Sequence, residues 1–392
     1  MSQKIICPFC FASFGPQDIL FRCVNPRCSG MAEDAVYASA RGNAPILMGR
    51  VMPAPRRAMS FGVPRVLECD ACKKESRTRL CPTCHYELSH DVGQIDQRIV
   101  AIIGGSATGK SVYIAALINR LQHEVGANFD FGVSMVGDNT RQRWMTDFYR
   151  PLFENKTLLA GTQSAIGDQR VKIPLIFRLT IKHGNSIRAL NISFFDTAGE
   201  DMAKLKLDLL SVEARYICHA DGIIVLLDPL QIESIRQQLP GANLPQPDPM
   251  ARPNFIVERL RELFEQYYHL SASKKIKVPV AFTFSKADTL KPLLSADSAL
   301  LRTGEHFGVL DLQDVQSVST EIGNYIQAWI NPGFYKDIDL WFSNYRFFGV
   351  SSLGRQPASN DRLADIPNPR RVEDPFLWLL HEFNLISGKK GR

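Results

Sequence analysis

Residues 104–111 read GGSATGKS and meet every fixed position of the pattern G-x-x-x-x-G-K-[ST]. An apolar run, Arg98–Ile103 (RIVAII), precedes the octapeptide, and Val112–Leu121 (VYIAALINRL) follows it and reads as a helix. Strand, glycine loop and helix in that order are the setting in which the pattern has a mechanism, because loop amides and helix start face one anion. Gly104 and Gly109 let the backbone close around phosphate, with the amides of Gly105, Ser106, Ala107 and Thr108 turned inward. Lys110 reaches the β- and γ-phosphate oxygens, and the Ser111 hydroxyl takes one place on Mg²⁺. The expected fold is therefore α/β, a doubly wound P-loop sheet with a nucleoside triphosphate at the carboxyl ends of its strands.

Four more apolar runs end in residues suited to a nucleotide. Leu190–Phe195 (LNISFF) runs into Asp196-Thr197-Ala198-Gly199-Glu200. An Asp ending a buried strand holds the water shell of Mg²⁺, and a Gly three residues on offers its N–H to the γ-phosphate. Asp228, after Gly222–Leu227 (GIIVLL), is the rival for the metal, but Pro229 follows it and no glycine does. Val278–Phe284 (VPVAFTF) leads into Ser285-Lys286-Ala287-Asp288, which resembles the guanine-reading motif [NT]-K-x-D with Ser at its first position. A carboxylate accepts two hydrogen bonds from guanine that adenine does not offer, and losing such a partner discriminates by about 10⁴-fold. Ser351-Ser352-Leu353, after Arg346–Val350, resembles the loop whose amide meets the guanine carbonyl. GTP or GDP is thus the expected ligand, and ATP the rival.

The residue that closes over the γ-phosphate is expected before the strand at Val171–Thr180, with Thr162 first, Thr157 second, and Thr140 in a stretch that reads as helix. Glu200 stands where a water-orienting residue belongs. Arg141, Arg143 and Arg170 are available as an internal arginine finger. Without one, such sites turn over at about 10⁻⁴ to 10⁻² s⁻¹, so slow hydrolysis, with Lys110 and Glu200 as its side chains, is the expectation.

Eight of the nine cysteines lie in the first quarter of the chain: Cys7, Cys10, Cys23 and Cys28, then Cys69, Cys72, Cys81 and Cys84. The later four form two C-x-x-C knuckles, a zinc-ribbon spacing, and the earlier four contain one knuckle and a wider pair. Soft thiolate tetrads select Zn²⁺, and four ligands leave no open position, so two structural zinc ions are expected. Consecutive tetrads are the simplest grouping; an interleaved one would give the same sequence. His85 and His90 are substitute ligands, and Cys218 reads as a buried thiol.

Residues 1–98 carry 13 Lys/Arg and 9 Asp/Glu, about +4 of the chain's net +6. Two zinc–thiolate clusters, each with two net negative charges, would cancel that excess, so nucleic-acid binding is the minority reading. The chain has no apolar run of the roughly 20 residues that spans a bilayer, and no signal peptide is apparent; a membrane partner is not expected, and a reducing cytoplasmic setting is. The expected division is a zinc-ribbon module over 1–92 and a nucleotide domain with insertions over 95–392. Ala38–Pro64 reads as an irregular excursion, Leu239–Pro253 with its five prolines as a surface loop, and the segment from Pro375 as a closing helix.

In this order the motifs resemble the nucleotide site of Ras-like, translation-factor-related GTPases, over roughly residues 97–390. With the zinc-ribbon front and the closing P-F-L-W-L-L helix, the chain resembles the double-GTPase proteins of bacteria. The resemblance implies a Mg²⁺-dependent regulatory GTPase acting with partner proteins of a multi-protein GTPase-associated system, one linked to conflict or defence. Alternatives from other classes are a zinc-ribbon nucleic-acid adaptor with a structural nucleotide and an ATP-dependent P-loop ATPase.

Overall fold

The computed structural model describes residues 4–42, 44–54, 64–159, 173–183, 186–195, 211–239, 244–304, 306–357 and 362–389. Its centre is a seven-stranded mixed sheet. In chain order the strands and principal helices are β1 (Asp96–Gly104), α1 (Lys110–Arg120), β2 (Phe131–Met135), β3 (Leu175–His183), β4 (Ser186–Phe194), α2 (Val212–Cys218), β5 (Gly222–Leu227), α3 (Pro253–Tyr268), β6 (Val280–Phe284), α4 (Leu312–Trp329), α5 (Pro332–Trp341), β7 (Tyr345–Gly349) and α6 (Asp374–Glu382). Across the sheet the order is β2-β3-β4-β1-β5-β6-β7.

The five strands from β4 to β7 are mutually parallel. β5 and β6 are buried at every position, as strands covered on both faces must be. Two antiparallel ladders, β2 with β3 and β3 with β4, complete one edge. Only two residues separate β3 from β4, and a link that short joins only antiparallel neighbours. The sheet is therefore α/β but mixed rather than parallel throughout. Alternate residues of β1 divide the core. Ile99, Ala101 and Ile103 pack with α2, α3, α4 and α5 on one face, and Val100 and Ile102 pack with α1 and α6 on the other.

The amino-terminal region is built on a four-stranded antiparallel sheet, in the order 87–88, 78–80, 20–22, 51–53. The expected irregular excursion is partly ordered. Ala35–Arg41 forms a helix capped by Asp34, and Ala32–Glu33 pairs with Leu47–Met48. This region touches the central sheet at Phe11, which is 2% exposed and belongs to the same core cluster as Ile99 and Tyr216. It also does so at Arg178 on β3, which binds Asp91 and Ser89. Among the described residues no helix is long and apolar enough to cross a membrane.

Candidate functional site

Register brings the sequence motifs to one edge. Gly104 of β1 is paired with Leu226 of β5, Leu226 with Thr283 of β6, and Thr283 with Phe348 of β7. The phosphate loop, Asp228, Ser285-Lys286-Ala287-Asp288 and Ser351-Ser352-Leu353 all begin within a few residues of that row, at the carboxyl ends of their strands.

The phosphate loop is shaped by its small residues. Ala107 has φ 54° and Gly109 has φ 87°, a conformation that costs glycine little. α1 starts at Lys110. The Lys110 ammonium donates to the carbonyls of Gly104 (3.2 Å) and Gly105 (3.0 Å), while Thr108 Oγ1 donates to the Gly105 carbonyl at 3.0 Å. These bonds fix the loop while leaving Ser106 and Ala107 exposed. Gly105 has a second constraint: a Cβ there would lie 2.6 Å from the Cα of Ala251.

At the other end, Ser351 Oγ donates to Asp288 Oδ1 at 2.5 Å and accepts from the Gly354 amide at 2.9 Å. Ser351 is held by two backbone bonds with Arg370. Ser285 is anchored through its amide to the Leu227 carbonyl at 2.9 Å. Lys286 adopts φ 52° and pairs with Asp228 at 2.6 Å. Asp228 is 1% exposed, and its other oxygen accepts from the Leu230 amide at 2.9 Å. The rival for the metal is thus occupied in holding Lys286 and the following turn.

Asp196, Gly199, Glu200, Thr162 and Arg170 lie outside the described residues. Phe195, just before Asp196, is 1% exposed. Its amide binds Tyr216 Oη at 3.2 Å, and that hydroxyl donates to the Val100 carbonyl at 2.6 Å. The approach to Asp196 is therefore fixed against β1. Thr157 Oγ1 donates to the Pro151 carbonyl at 3.1 Å, and Thr140 accepts from the Ile176 amide at 3.1 Å. Arg141 pairs with Asp138 at 3.0 Å, and Arg143 binds Asp147 and the Ile173 carbonyl.

The cysteines form two quartets, but not the consecutive ones. Cys7, Cys10, Cys81 and Cys84 come together, as do Cys23, Cys28, Cys69 and Cys72, with all Sγ atoms of a quartet within 4.8 Å of one another. The reason is the antiparallel pairing of 20–22 with 78–80. Cys23 leaves that ladder at one end and Cys81 at the other, so each quartet draws two thiols from each half of the region. The closest Sγ pairs in the two quartets are 3.6–3.8 Å apart. That is far beyond a disulfide at about 2.05 Å, and it matches the edge of a tetrahedron with Zn–S at about 2.3 Å, roughly 3.8 Å. The amides of Phe9, Gly30 and Thr83 each lie 3.4 Å from a thiol sulfur, suited to a thiolate.

Crowding divides the thiol protons unequally. Hydrogen bonds from Cys10, Cys7 and Cys84 pull Cys81 well down, while burial and its neighbours push Cys7 up. In the other quartet the Asn25 side chain leads in pulling Cys72 to about 6, and burial leads in pushing Cys23 to about 12. His85 is not a ligand; its Nδ1 lies 2.9 Å from Asp34, which also binds Arg22 at 2.7 Å. Of the arginines expected to offset the clusters, Arg50 pairs with Asp70 at 2.7 Å and Arg79 spans the carbonyls of His90 and Pro64.

A third group, His306, Asp314 and Asp374, has metal-like proximity. Arg371 already fills it. Its guanidinium donates to Asp314 at 2.8 and 2.9 Å and to Asp374 at 2.6 Å. It is an ion cluster tying α4 to α6, and no sequence motif marks it.

The chain is 28% identical, over 97% of its own length and 99% of the relative's, to a Mycolicibacterium smegmatis protein provisionally named an ESX-1 scaffolding and assembly protein, SaeC. Residues 98–327, more than half of the chain, match the sequence model of the Double-GTPase 2 family. The chain belongs to the Double-GTPase 2 family.

Proposed function

We propose that this protein is a Mg²⁺-dependent, slowly hydrolysing GTPase whose nucleotide state governs its part in assembling a protein complex. The observation that carries the reading is the row Gly104–Leu226–Thr283–Phe348, which aligns the phosphate loop with the Asp288–Ser351 pair on one sheet edge. In the P-loop arrangement this supports, Lys110 and the loop amides hold phosphate and Asp288 reads guanine. Ser111 and Asp196 hold Mg²⁺, Glu200 orients water and Thr162 closes over the γ-phosphate. The two thiol quartets take Zn²⁺ as structural ions, and residues 1–92 act as a docking module on the nucleotide domain. The name of the mycobacterial relative supports an assembly role with protein partners, and nine cysteines outside any disulfide suit a reducing cytoplasm. The test is displacement of a fluorescent GTP analogue by GTP, GDP and ATP. Preferential displacement by GTP and GDP, lost in Asp288→Asn, is expected; equal displacement by ATP would overturn the guanine assignment.

A further inference from the structure

Between β5 and α3 the chain runs through residues 228–252, and hydrogen bonds pin the described part of this strap. Asp228 caps the Leu230 amide and holds Lys286. The Gln231 side chain donates to the Gln246 carbonyl and accepts from the Asp248 amide. Arg236 binds the carbonyls of Leu230 and Pro245. Asp248 then caps the Met250 amide. The prolines of Leu239–Pro253 predict a surface loop for this part of the strap, yet Ala251 is fully buried and its Cα would lie 2.6 Å from a Cβ on Gly105. Its end is pressed against the phosphate loop.

The next residue is Arg252, one peptide step or about 3.8 Å further on. It is exposed, and its guanidinium has no partner among the described residues. Arg252 is also the N-cap of α3, with no side-chain cap and no acid in the first turn. That position favours Ser, Thr, Asp or Asn and disfavours a cation facing the positive end of the helix. The helices at Ala35, Val212, Leu312 and Pro332 obey the rule, with Asp34, Ser211, Asp311 and Asn331 as their caps; those at Lys110, Glu233 and Asp374 also lack a side-chain cap, but none of them places a cation there. A local rule broken beside a functional loop, on a segment built to hold that residue in place, is the mark of a residue kept for chemistry.

Resting on the GTPase reading above, we infer that Arg252 is the internal arginine finger, a cation carried by the strap to the triphosphate. In hydrolysis the oxygen of a water bonds to the γ-phosphorus. The bond to the β–γ bridging oxygen breaks with its electron pair remaining on GDP, and the proton leaves with inorganic phosphate or to solvent. The guanidinium exchanges no atoms; it neutralises charge on the bridging and γ oxygens as it develops. The arginines singled out from sequence and described here, Arg141 and Arg143, are engaged elsewhere.

The experiment compares wild type with Arg252→Ser, Arg252→Ala and Arg252→Lys. It measures single-turnover GTP hydrolysis, GTP and GDP affinity, capture of GDP with aluminium fluoride, and thermal stability. We expect Arg252→Ala and Arg252→Ser to slow hydrolysis about 10- to 100-fold and to lose the fluoride complex, with GTP and GDP affinities nearly unchanged. Arg252→Lys should recover part of the rate. Arg252→Ser, which supplies the missing cap, should melt at a higher temperature than wild type, which a purely structural arginine would not allow. Unchanged hydrolysis and fluoride capture, or loss of GDP affinity in step with rate, would overturn the inference while leaving the GTPase reading intact. Wild type that binds no guanine nucleotide would overturn both.

Discussion

The ring of Phe11 lies 5.4 Å from the ring of Phe195. The first follows the second thiol of a cysteine knuckle, and the second precedes Asp196. Tyr216 packs against both, at 6.1 and 4.6 Å, and fixes the Phe195 amide. The amino-terminal region is thereby in contact with the strand end that carries a predicted metal ligand.

Phe11→Ala should destabilise the protein by about 3 kcal/mol, as expected for a large ring removed from a packed site. Phe9→Ala, whose ring stacks on Tyr86 at 4.5 Å within the amino-terminal region, should have a smaller effect. Urea denaturation of the two variants checks the ranking. Equal losses would mean that the Phe11 contact contributes little to holding the two parts together.

Lys110→Ala should weaken GTP binding by about 100-fold or more, since it removes a charge-assisted partner from several phosphate oxygens. Asp288→Asn should keep its fold, because an amide oxygen still accepts from Ser351, and should lose its preference for guanine. Titration calorimetry with GTP and ATP reads both outcomes. Undiminished GTP affinity in Lys110→Ala would remove this loop from the site.

Metal analysis should give two zinc ions per chain, and paired substitutions test the grouping. Cys7→Ser with Cys84→Ser strikes one quartet as the structure has them and should leave one zinc. Cys7→Ser with Cys23→Ser strikes both and should leave none. Consecutive tetrads would reverse the two results.

Arg371→Met should cost about 3–5 kcal/mol, because it strands Asp374 and Asp314 beside His306 without their cation. Burial alone would raise the Asp374 carboxyl, but the His306 and Arg371 contacts outweigh it and hold the group below the usual carboxylate range. A depressed carboxylate stabilises the fold above its unfolded value of about 3.9, and that contribution is lost as pH falls through the lower folded value. Acid unfolding of Arg371→Met should therefore begin at a higher pH than in wild type, measured by circular dichroism between pH 2 and 5 (about the range this shift predicts).

Elements whose signal is local were legible from sequence. Gly222–Leu227 was bounded to the residue, because an unbroken apolar run buried on both faces has no other use. The phosphate loop, Ser285–Asp288 and Ser351 were found by spacing, and the sheet brings them to one edge. What the sequence hid depends on pairing between distant segments. Proximity in the chain favours consecutive tetrads, because nothing local announces that 20–22 pairs with 78–80. Arg371 and Arg252 carry no motif. For Arg252 one signal was present: an arginine directly before the proline that opens a helix, where a capping side chain belongs.

The interleaving of the quartets has a topological consequence. Each takes two thiols from before residue 54 and two from after residue 64. With metal bound, the chain between those points is no longer the sole connection across the region. A single proteolytic cut between Ala54 and Pro64 would leave two pieces fastened at two metal sites as well as by the ladder of 20–22 with 78–80, and chelation would leave that ladder to hold them. If the quartets hold the proposed zinc ions, neither ion could be fully enclosed until the second half of the region had emerged from the ribosome, so metal capture would complete late and join both halves in one step.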